Sequence, residues 1–211
     1  VRTREILECI DIVRPFLAEN ENFIQESYRS GSNILLEGAQ GWGLNVMSHE
    51  YPNVTSSMPT VGGAINSTGL SHKQIDEVIG IAKVYKTKVG QGNFASLCDD
   101  SSEKILAEIG KEYGATTGRR RKCGWLDMDE IKQACLENGV DHVVITKTDV
   151  FAHLKEQSIY LNGDVRPIMT INKPSLQDPS FISLLDFIKE ETNANTISFT
   201  TGPNRGEIIW G

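Results

Sequence analysis

Apolar residues recur along this chain with helical spacing in some stretches and in short strand-like runs in others. Residues 3–19 carry one apolar helical face, formed by Ile6, Ile10, Val13 and Leu17. Pro15 is expected to kink that helix near its end. Short apolar runs predict strands at 34–36, within "HVVITKTD" (142–149) and at 196–199. Further helices are predicted at 102–112 and 180–190, and a long functional loop, with or without a short helix, at 53–69.

Two capping boxes predict where other helices begin. Ser71 with Gln74 precedes an apolar helical face, formed by Ile75, Val78, Ile79 and Ala82. Asp127 with Glu130 predicts a second helix, with Gly139 where a C-cap is expected. Because predicted strands alternate with helices throughout, we expect an α/β fold with a mainly parallel central sheet.

Composition narrows the class of protein. The 211 residues include 21 Lys and Arg against 28 Asp and Glu, a net charge of −7. This length fits one large domain, and the acidic balance argues against nucleic-acid or membrane-surface binding, which needs a basic field. Four cysteines without a C-x-x-C pair and the lack of a long apolar run predict a reduced, cytoplasmic protein. The chain begins without Met and reads as the continuation of an earlier segment.

Candidate chemistry lies in polar loops that follow apolar stretches: "EGAQG", "VGQG", "TKTD" and "TTGP". Ligands of open α/β sheets bind at the carboxyl ends of strands, where such loops lie. In "TKTD", the carboxylate of Asp149 can accept hydrogen bonds from the N1–H and the exocyclic amine of guanine, and the stem of Lys147 can lie along the purine. On these four residues alone, a strand end followed by a capping Asp is the better interpretation.

The segment "ATTGRRRKCGWLD" (115–127) concentrates positive charge in an acidic chain. Arginine grips carboxylate or phosphate through two parallel hydrogen bonds, and Gly118 lets the backbone approach a ligand closely. Most charge runs are solvated loops, but this one is flanked by Thr and Gly and followed at once by Trp125 and a capped helix. A cation cluster anchored this firmly indicates a small anionic ligand.

Seven motifs together resemble the adenylosuccinate synthetase family. They are "EGAQG", "YPNVTSS", "GGAINSTGL", "KVGQG", "GATTGRRRKCGWLD", "TKTDV" and "TTGPNR", in the family's order and approximate spacing over residues 34–205. The "TTGR-x-R-x-x-GWLD" block is highly specific. With this resemblance, guanine recognition becomes the better interpretation of "TKTD".

The resemblance implies a P-loop-NTPase-like fold and a cytoplasmic, homodimeric enzyme of AMP biosynthesis. The family uses GTP and Mg²⁺ to join IMP to L-aspartate, and it releases adenylosuccinate, GDP and phosphate. Phosphoryl transfer depends on positioning and on charge neutralisation, which suits cationic loops.

Site residues carry over by matching position. The IMP-binding residues are predicted to be Gln40, Thr55 and Arg119. The loop that closes on the aspartate carboxylates is predicted to comprise Ala115, Thr116, Thr117, Gly118, Arg119, Arg120 and Arg121. The GTP-binding residues are predicted to be Arg121, Lys147, Thr148, Asp149, Thr200, Thr201 and Gly202.

The chain departs from the family at one large feature. The family's N-terminal phosphate loop, of the type G-D-E-G-K-G, has no counterpart here, nor do the catalytic Asp, the catalytic His, the Mg²⁺ ligands or the intersubunit Arg. Residues 1–211 are therefore expected to be the C-terminal portion of one domain, with no catalytic residue and no metal ligand of their own. Two alternatives stay open: an inactive guanine-nucleotide-binding remnant, and a variant that acts on another purine nucleotide.

Overall fold

The fold is mixed α/β. The computed structural model describes residues 2–17, 20, 22–48, 50–90, 94–114 and 118–211. Its helices are α1 (Arg2–Val13), α2 (Phe23–Arg29), α3 (Val61–Thr68), α4 (Asp100–Ile109), α5 (Met128–Asn138), α6 (Thr148–Phe151) and α7 (Pro179–Thr192). Its strands are β1 (Ile79–Lys83), β2 (Lys86–Lys88), β3 (Lys122–Gly124), β4 (Leu126–Asp127), β5 (His142–Thr146), β6 (Ser158–Leu161), β7 (Asp164–Pro167), β8 (Thr196–Thr200) and β9 (Ile208–Ile209).

A four-stranded sheet organises the molecule, in the order β1-β5-β8-β9. The first three strands are parallel, with Val144 of β5 opposite Ile81 on one side and Ser198 on the other, and β9 runs antiparallel to β8. The centre of β5 is fully buried, as expected for a β-branched run between two parallel neighbours. The strand predicted within residues 142–149 is confirmed as β5, which ends at Thr146, and the strand predicted at 196–199 is confirmed as β8. The mainly parallel sheet is confirmed as well.

The segment that follows the arginines contributes one strand to each of two smaller sheets. β2 and β3 pair antiparallel, while β4 pairs parallel with β6, and β6 pairs antiparallel with β7. The β6–β7 hairpin turns at Asn162 and Gly163, whose φ angles of 54° and 84° fit an Asn-Gly turn of type I′. The sequence prediction missed this hairpin, although Asn-Gly is a strong hairpin signal.

The hydrophobic core lies around the main sheet and the inner faces of α4, α5 and α7. The rings of Phe181 and Phe199 pack edge to face there, with centroids 4.7 Å apart. Gln157 is buried with them, and its amide group bonds the backbone of Phe151, Leu154 and Ile171. These bonds satisfy the amide and tie the loop after α6 to the core.

The predicted strand at 34–36 is wrong. These residues pair with no strand in the part of the chain that is described, and the Leu35 side chain is 87% exposed. An apolar run becomes a strand only when a neighbouring strand satisfies its backbone groups.

The helix predicted after Ser71 is also wrong. The capping box with Gln74 forms, but it begins one 3₁₀ turn at His72–Gln74, and β1 follows from Ile79. Gly80 in β1 lies so near the Val140 side chain that a Cβ would come within 3.0 Å of it. Parallel pairing with β5 thus decides the conformation of a segment whose local signals favour a helix.

The helix predicted after Asp127 is confirmed as α5. The Asp127 carboxylate accepts a hydrogen bond from the Glu130 backbone N–H at 3.1 Å, and Gly139 ends the helix in the left-handed conformation at φ 61°.

We expect Gly139→Ala to lower the free energy of unfolding by about 1 kcal/mol, because a Cβ is strained at positive φ. Urea denaturation at an unchanged m-value would measure this loss. Gly206→Ala is the control, since Gly206 has open space around its Cα and no positive φ, and it should change stability by less than about 0.5 kcal/mol. Equal losses in both variants would contradict this account of the C-cap.

Among the residues described, no helix combines the length and the apolar character needed to cross a membrane.

Candidate functional site

The loops after β5 and β8 meet at the carboxyl-terminal edge of the main sheet. The Thr148 hydroxyl donates a hydrogen bond of 2.5 Å to the Thr200 carbonyl, and Thr148 itself is buried. Adjacent parallel strands end at the same edge, so "TKTD" and "TTGP" lie side by side. The structure therefore brings together the two segments predicted to bind guanine.

Lys147 and Asp149 flank this contact. Lys147 adopts a left-handed conformation at φ 65° at the start of α6, and its ammonium group donates to the Gly110 carbonyl at 3.0 Å. This bond fixes the aliphatic stem between β5 and the end of α4. Asp149 is half-buried, and no hydrogen bond or ion pair joins its carboxylate to another residue in the described part of the chain. A carboxylate at the sheet edge is thus left to accept hydrogen bonds from a ligand.

The loop after β8 is closed by Glu207. The Thr201 N–H donates to the Glu207 carbonyl at 2.7 Å, and the Asn204 N–H donates to the Glu207 carboxylate at 2.6 Å. A Cβ on Gly202 would lie about 2.5 Å from that carboxylate, so a larger residue there would push the Glu207 side chain away from its bond to Asn204. Thr201 and Gly202 are consequently held at a defined place beside Thr200.

Backbone hydrogen bonds fasten the arginine segment to residues 112–114. The Gly114 N–H donates to the Arg119 carbonyl, the Gly118 N–H to the Gly114 carbonyl and the Arg121 N–H to the Glu112 carbonyl, at 2.8 to 2.9 Å. Gly118 has a φ of 62°, which this turn requires. The predicted aspartate-loop residues Ala115, Thr116 and Thr117 lie outside the described residues.

The three arginines differ in their surroundings. Arg119 is exposed. Arg120 forms an exposed ion pair with Glu103 at 3.3 Å. Arg121 is about one-third exposed, and its Nη1 donates at 2.8 Å to Glu112, whose side chain is 2% exposed. The Arg121 side chain therefore binds a buried carboxylate, whereas the Arg120 side chain forms an ion pair at the surface.

Glu112 is the centre of a buried ionic cluster that sequence reasoning did not find. Lys83 Nζ donates to both carboxylate oxygens at 3.0 and 3.1 Å, and the Tyr85 hydroxyl donates at 2.8 Å. Burial alone would raise the pKa of the Glu112 carboxyl, but the Lys83 charge and the hydrogen bonds from Tyr85, Lys83 and Arg121 keep that pKa below its ordinary value. Burial, then the Glu112 charge, raises the pKa of Tyr85, so its hydroxyl keeps its proton.

The predicted IMP residues Gln40 and Thr55 form a separate group. The Ser57 hydroxyl donates to the Gln40 side-chain oxygen at 2.8 Å and lies 3.3 Å from the Thr55 hydroxyl. Within the described residues, no hydrogen bond or ion pair joins Gln40 or Thr55 to Lys147 or Asp149. The structure thus presents two groups of candidate residues, one with polar side chains around Ser57 and one at the sheet edge.

Helix α5 supports the loop that carries Gln40 and Thr55. The Trp42 indole donates to Glu137 at 2.7 Å, and the Val61 N–H donates to the Asn138 side chain at 2.9 Å. Both acceptors lie in the last turn of α5, whose first turn follows the arginine segment. One helix therefore connects this loop to the arginine segment.

Metal binding finds no support among the described residues. They contain no group of three or more His, Cys, Asp or Glu side chains placed to hold a metal ion. The described residues therefore offer no all-protein cage, whereas Mg²⁺ in nucleotide sites is usually held by one or two carboxylates together with water and substrate phosphates.

A family model and the similar curated proteins named below carry the same description. The family model described as adenylosuccinate synthetase matches residues 2–164. Adenylosuccinate synthetase from Thermus thermophilus is 37% identical over 225 residues, covering 95% of this chain and 55% of the relative. The enzyme from Caldicellulosiruptor saccharolyticus is 42% identical over 229 residues, covering 94% and 54%. The chain therefore spans about half the length of the curated relatives it matches.

Two solved structures are similar. Fully ligated adenylosuccinate synthetase from Plasmodium falciparum aligns with a TM-score of 0.85 at 26% identity, covering 94% of this chain and 55% of that one. Succinoaminodeoxyadenylate synthetase from cyanophage S-2L, bound to dGMP and dATP, aligns with a TM-score of 0.59 at 21% identity, covering 89% and 49%. The second likeness shows the fold alone.

Proposed function

Because the chain belongs to the adenylosuccinate synthetase family, we propose that it supplies the IMP-, aspartate- and guanine-binding loops of a GTP-dependent ligase. That ligase joins IMP to L-aspartate and releases adenylosuccinate, GDP and phosphate, the committed step toward AMP. The observation that carries the proposal is the sheet edge where Thr148 bonds Thr200 and the Asp149 carboxylate is left without a hydrogen-bond partner among the described residues.

Guanine recognition follows from the chemistry of Asp149. An ionised carboxylate only accepts hydrogen bonds, and guanine offers two donors on one edge, N1–H and the exocyclic amine. Adenine has an acceptor at N1, so it cannot make this pair of bonds. Lys147, with its stem held by the Gly110 carbonyl, and the Thr201–Gly202 turn form the rest of the proposed guanine site.

In this proposal, the arginine segment binds the phosphate and carboxylate groups of the substrates. GTP transfers its γ-phosphoryl group to O6 of IMP, and the aspartate amine then displaces that phosphate at C6. We assign Arg121 to GTP, Arg119 to IMP and aspartate, and residues 115–121 to the aspartate carboxylates. Guanidinium groups stabilise charge that is spread over phosphoryl and carboxylate oxygens.

No catalytic residue and no Mg²⁺ ligand is assigned in this chain. Residues 1–211 are proposed to be the C-terminal portion of one domain, since the chain spans about half the length of the relatives it matches. The homodimer is part of the same proposal.

Nucleotide binding by the purified chain tests the function. Calorimetry should detect binding of GTP and GDP and much weaker binding of ATP. No adenylosuccinate should form when residues 1–211 alone are supplied with GTP, IMP, aspartate and Mg²⁺, because no catalytic Asp or His is assigned among them. Equal affinity for GTP and ATP would contradict the proposed guanine site, and turnover would show that a residue of this chain replaces the catalytic Asp and His.

A second candidate is a ligase that takes another purine nucleotide. The chain shares its fold with the phage synthetase, whose structure holds dGMP and dATP. Competition between IMP and dGMP separates the two substrates. For the phosphate donor, the chemistry of Asp149 favours a guanine nucleotide over ATP.

We expect Arg119→Ala to weaken aspartate binding in the presence of IMP about tenfold or more, because a charged hydrogen bond contributes roughly 1.5–3 kcal/mol. Titration of aspartate into the chain saturated with IMP would measure this. Lys122→Ala is the matched control, since it removes an exposed positive charge three residues away and should leave aspartate affinity unchanged. Equal loss in both variants would mean that only the net charge of the segment matters.

A further inference from the structure

Two cations contact Glu112, and they differ in how many of their hydrogen-bond donors are occupied within the described part of the chain. The Lys83 ammonium group has three N–H donors, and it forms three hydrogen bonds. Two go to the Glu112 carboxylate oxygens, and the third goes to the Thr87 hydroxyl at 2.6 Å. Arg121 has five N–H donors and gives one side-chain hydrogen bond to Glu112 within the described part of the chain. The positive charge of Lys83 thus compensates the negative charge of the buried carboxylate. The positive charge of Arg121 is then available to bind an anionic ligand.

The short turn that carries Glu112 also contacts Lys147, a residue of the proposed guanine site. Residues 110–112 follow α4, and the Gly110 carbonyl accepts the hydrogen bond from the Lys147 ammonium group. Two residues further on, Glu112 holds Arg121 through both its carboxylate and its backbone carbonyl. Tyr85 packs against both ends of the turn. Its hydroxyl donates to Glu112, and the same oxygen would lie 2.4 Å from a Cβ on Gly110. Lys147 and Arg121 are therefore hydrogen-bonded to the same turn.

We propose that Glu112 is a positioning residue, which orients the Arg121 guanidinium beside the guanine-binding edge so that it meets the nucleotide phosphates. This inference rests on the proposed role of Arg121 toward GTP. Glu112 touches no ligand itself and acts through Arg121. A merely structural ion pair would stabilise the fold without affecting GTP more than IMP.

Glu112→Gln tests the proposal, because it keeps the shape of the side chain and removes its charge. We expect GTP affinity to fall about tenfold, IMP affinity to stay unchanged, and Arg121→Ala to have the same effect as Glu112→Gln. The double variant should be no weaker than either single one, since both act through one guanidinium. Glu103→Gln is the matched control, because Glu103 pairs with Arg120 in a more exposed position and should leave GTP affinity unchanged.

A measurement without nucleotide separates this proposal from the proposed function. In the ligand-free wild type, the Nη groups of Arg121 should give separate ¹⁵N signals, because the bond to Glu112 hinders rotation of the guanidinium. They should merge in Glu112→Gln and stay separate in Glu103→Gln. If the wild type fails to bind GTP, the proposed function fails, while these signals still report whether Glu112 orders Arg121.

Two results would overturn the positioning role: separate Arg121 signals in Glu112→Gln, or additive losses of GTP affinity in the double variant. If Glu112→Gln does not fold, Tyr85→Phe replaces it, because this change removes one donor from Glu112 and keeps the buried ring. Its expected effects are a two- to threefold loss of GTP affinity and partial merging of the Arg121 signals. Unchanged signals in a folded Tyr85→Phe would overturn the proposal equally.

Discussion

Replacing Asp149 with alanine is expected to abolish the preference of the chain for GTP over ATP. Each hydrogen bond to a charged group contributes roughly 1.5–3 kcal/mol, so losing two costs about 3 kcal/mol or more, on the order of 100-fold in GTP affinity. ATP affinity should barely change, because adenine makes neither bond. Competition of GTP and ATP against a fluorescent GDP analogue would measure both affinities.

Two further variants sharpen this experiment. Asp149→Asn should improve binding of xanthosine triphosphate relative to GTP, since the amide can donate to O2 of xanthine while its oxygen accepts from N1–H. Asp186→Ala removes an exposed carboxylate from α7 and should leave all affinities unchanged. An unaltered GTP-over-ATP ratio in Asp149→Ala would remove Asp149 from the guanine site.

Replacing Glu112 with alanine is expected to lower the free energy of unfolding by about 3 kcal/mol. The change leaves the positive charges of Lys83 and Arg121 close together without the carboxylate that compensates them, and breaking a buried pair typically costs about 3–5 kcal/mol. The lower end applies because both cations remain partly exposed to solvent. Urea denaturation compared with Glu103→Ala, whose ion pair is more exposed, would measure the difference.

Lowering the pH should destabilise the fold through protonation of Glu112. The pKa of Glu112 is lower in the folded chain than in the unfolded one, so its contribution to stability is present above the unfolded value, about 4.3, and is lost as the pH falls through the folded pKa. Lys83, Tyr85 and Arg121 face Glu112, and Lys83 and Tyr85 remain protonated in that range. The stability of the wild type should therefore decrease below about pH 4 by more than that of Glu112→Gln. Parallel pH profiles would contradict the assignment.

Local signals were sufficient where a segment's own residues satisfy its backbone. Helix α5 begins at Asp127 and ends at Gly139 as predicted, because side-chain capping and a left-handed glycine act within the helix. β5 and β8 were likewise evident from short apolar runs, and the run in β5 is β-branched, which suits a strand buried between two parallel neighbours. The polar ends of these strands then placed "TKTD" and "TTGP" at one edge.

Local signals failed where a distant segment decides the outcome. Residues 34–36 have the composition of a strand but no strand beside them in the described structure, while residues 79–83 carry a helix-like signal and pair with β5 instead. The Glu112 cluster was invisible for a related reason, since Lys83 lies 29 residues before Glu112 and no spacing rule joins them.

The sequence by itself determined the family, the buried strands β5 and β8 and the polar loops that follow them, because these depend on short motifs and on residues near one another in the chain. Only the tertiary structure decided that Thr148 bonds Thr200, that Asp149 is left without a partner among the described residues and that one turn holds both Lys147 and Arg121. A buried charge needs its counter-charge within about 4 Å, and only the folded chain brings residues so distant in sequence to that separation.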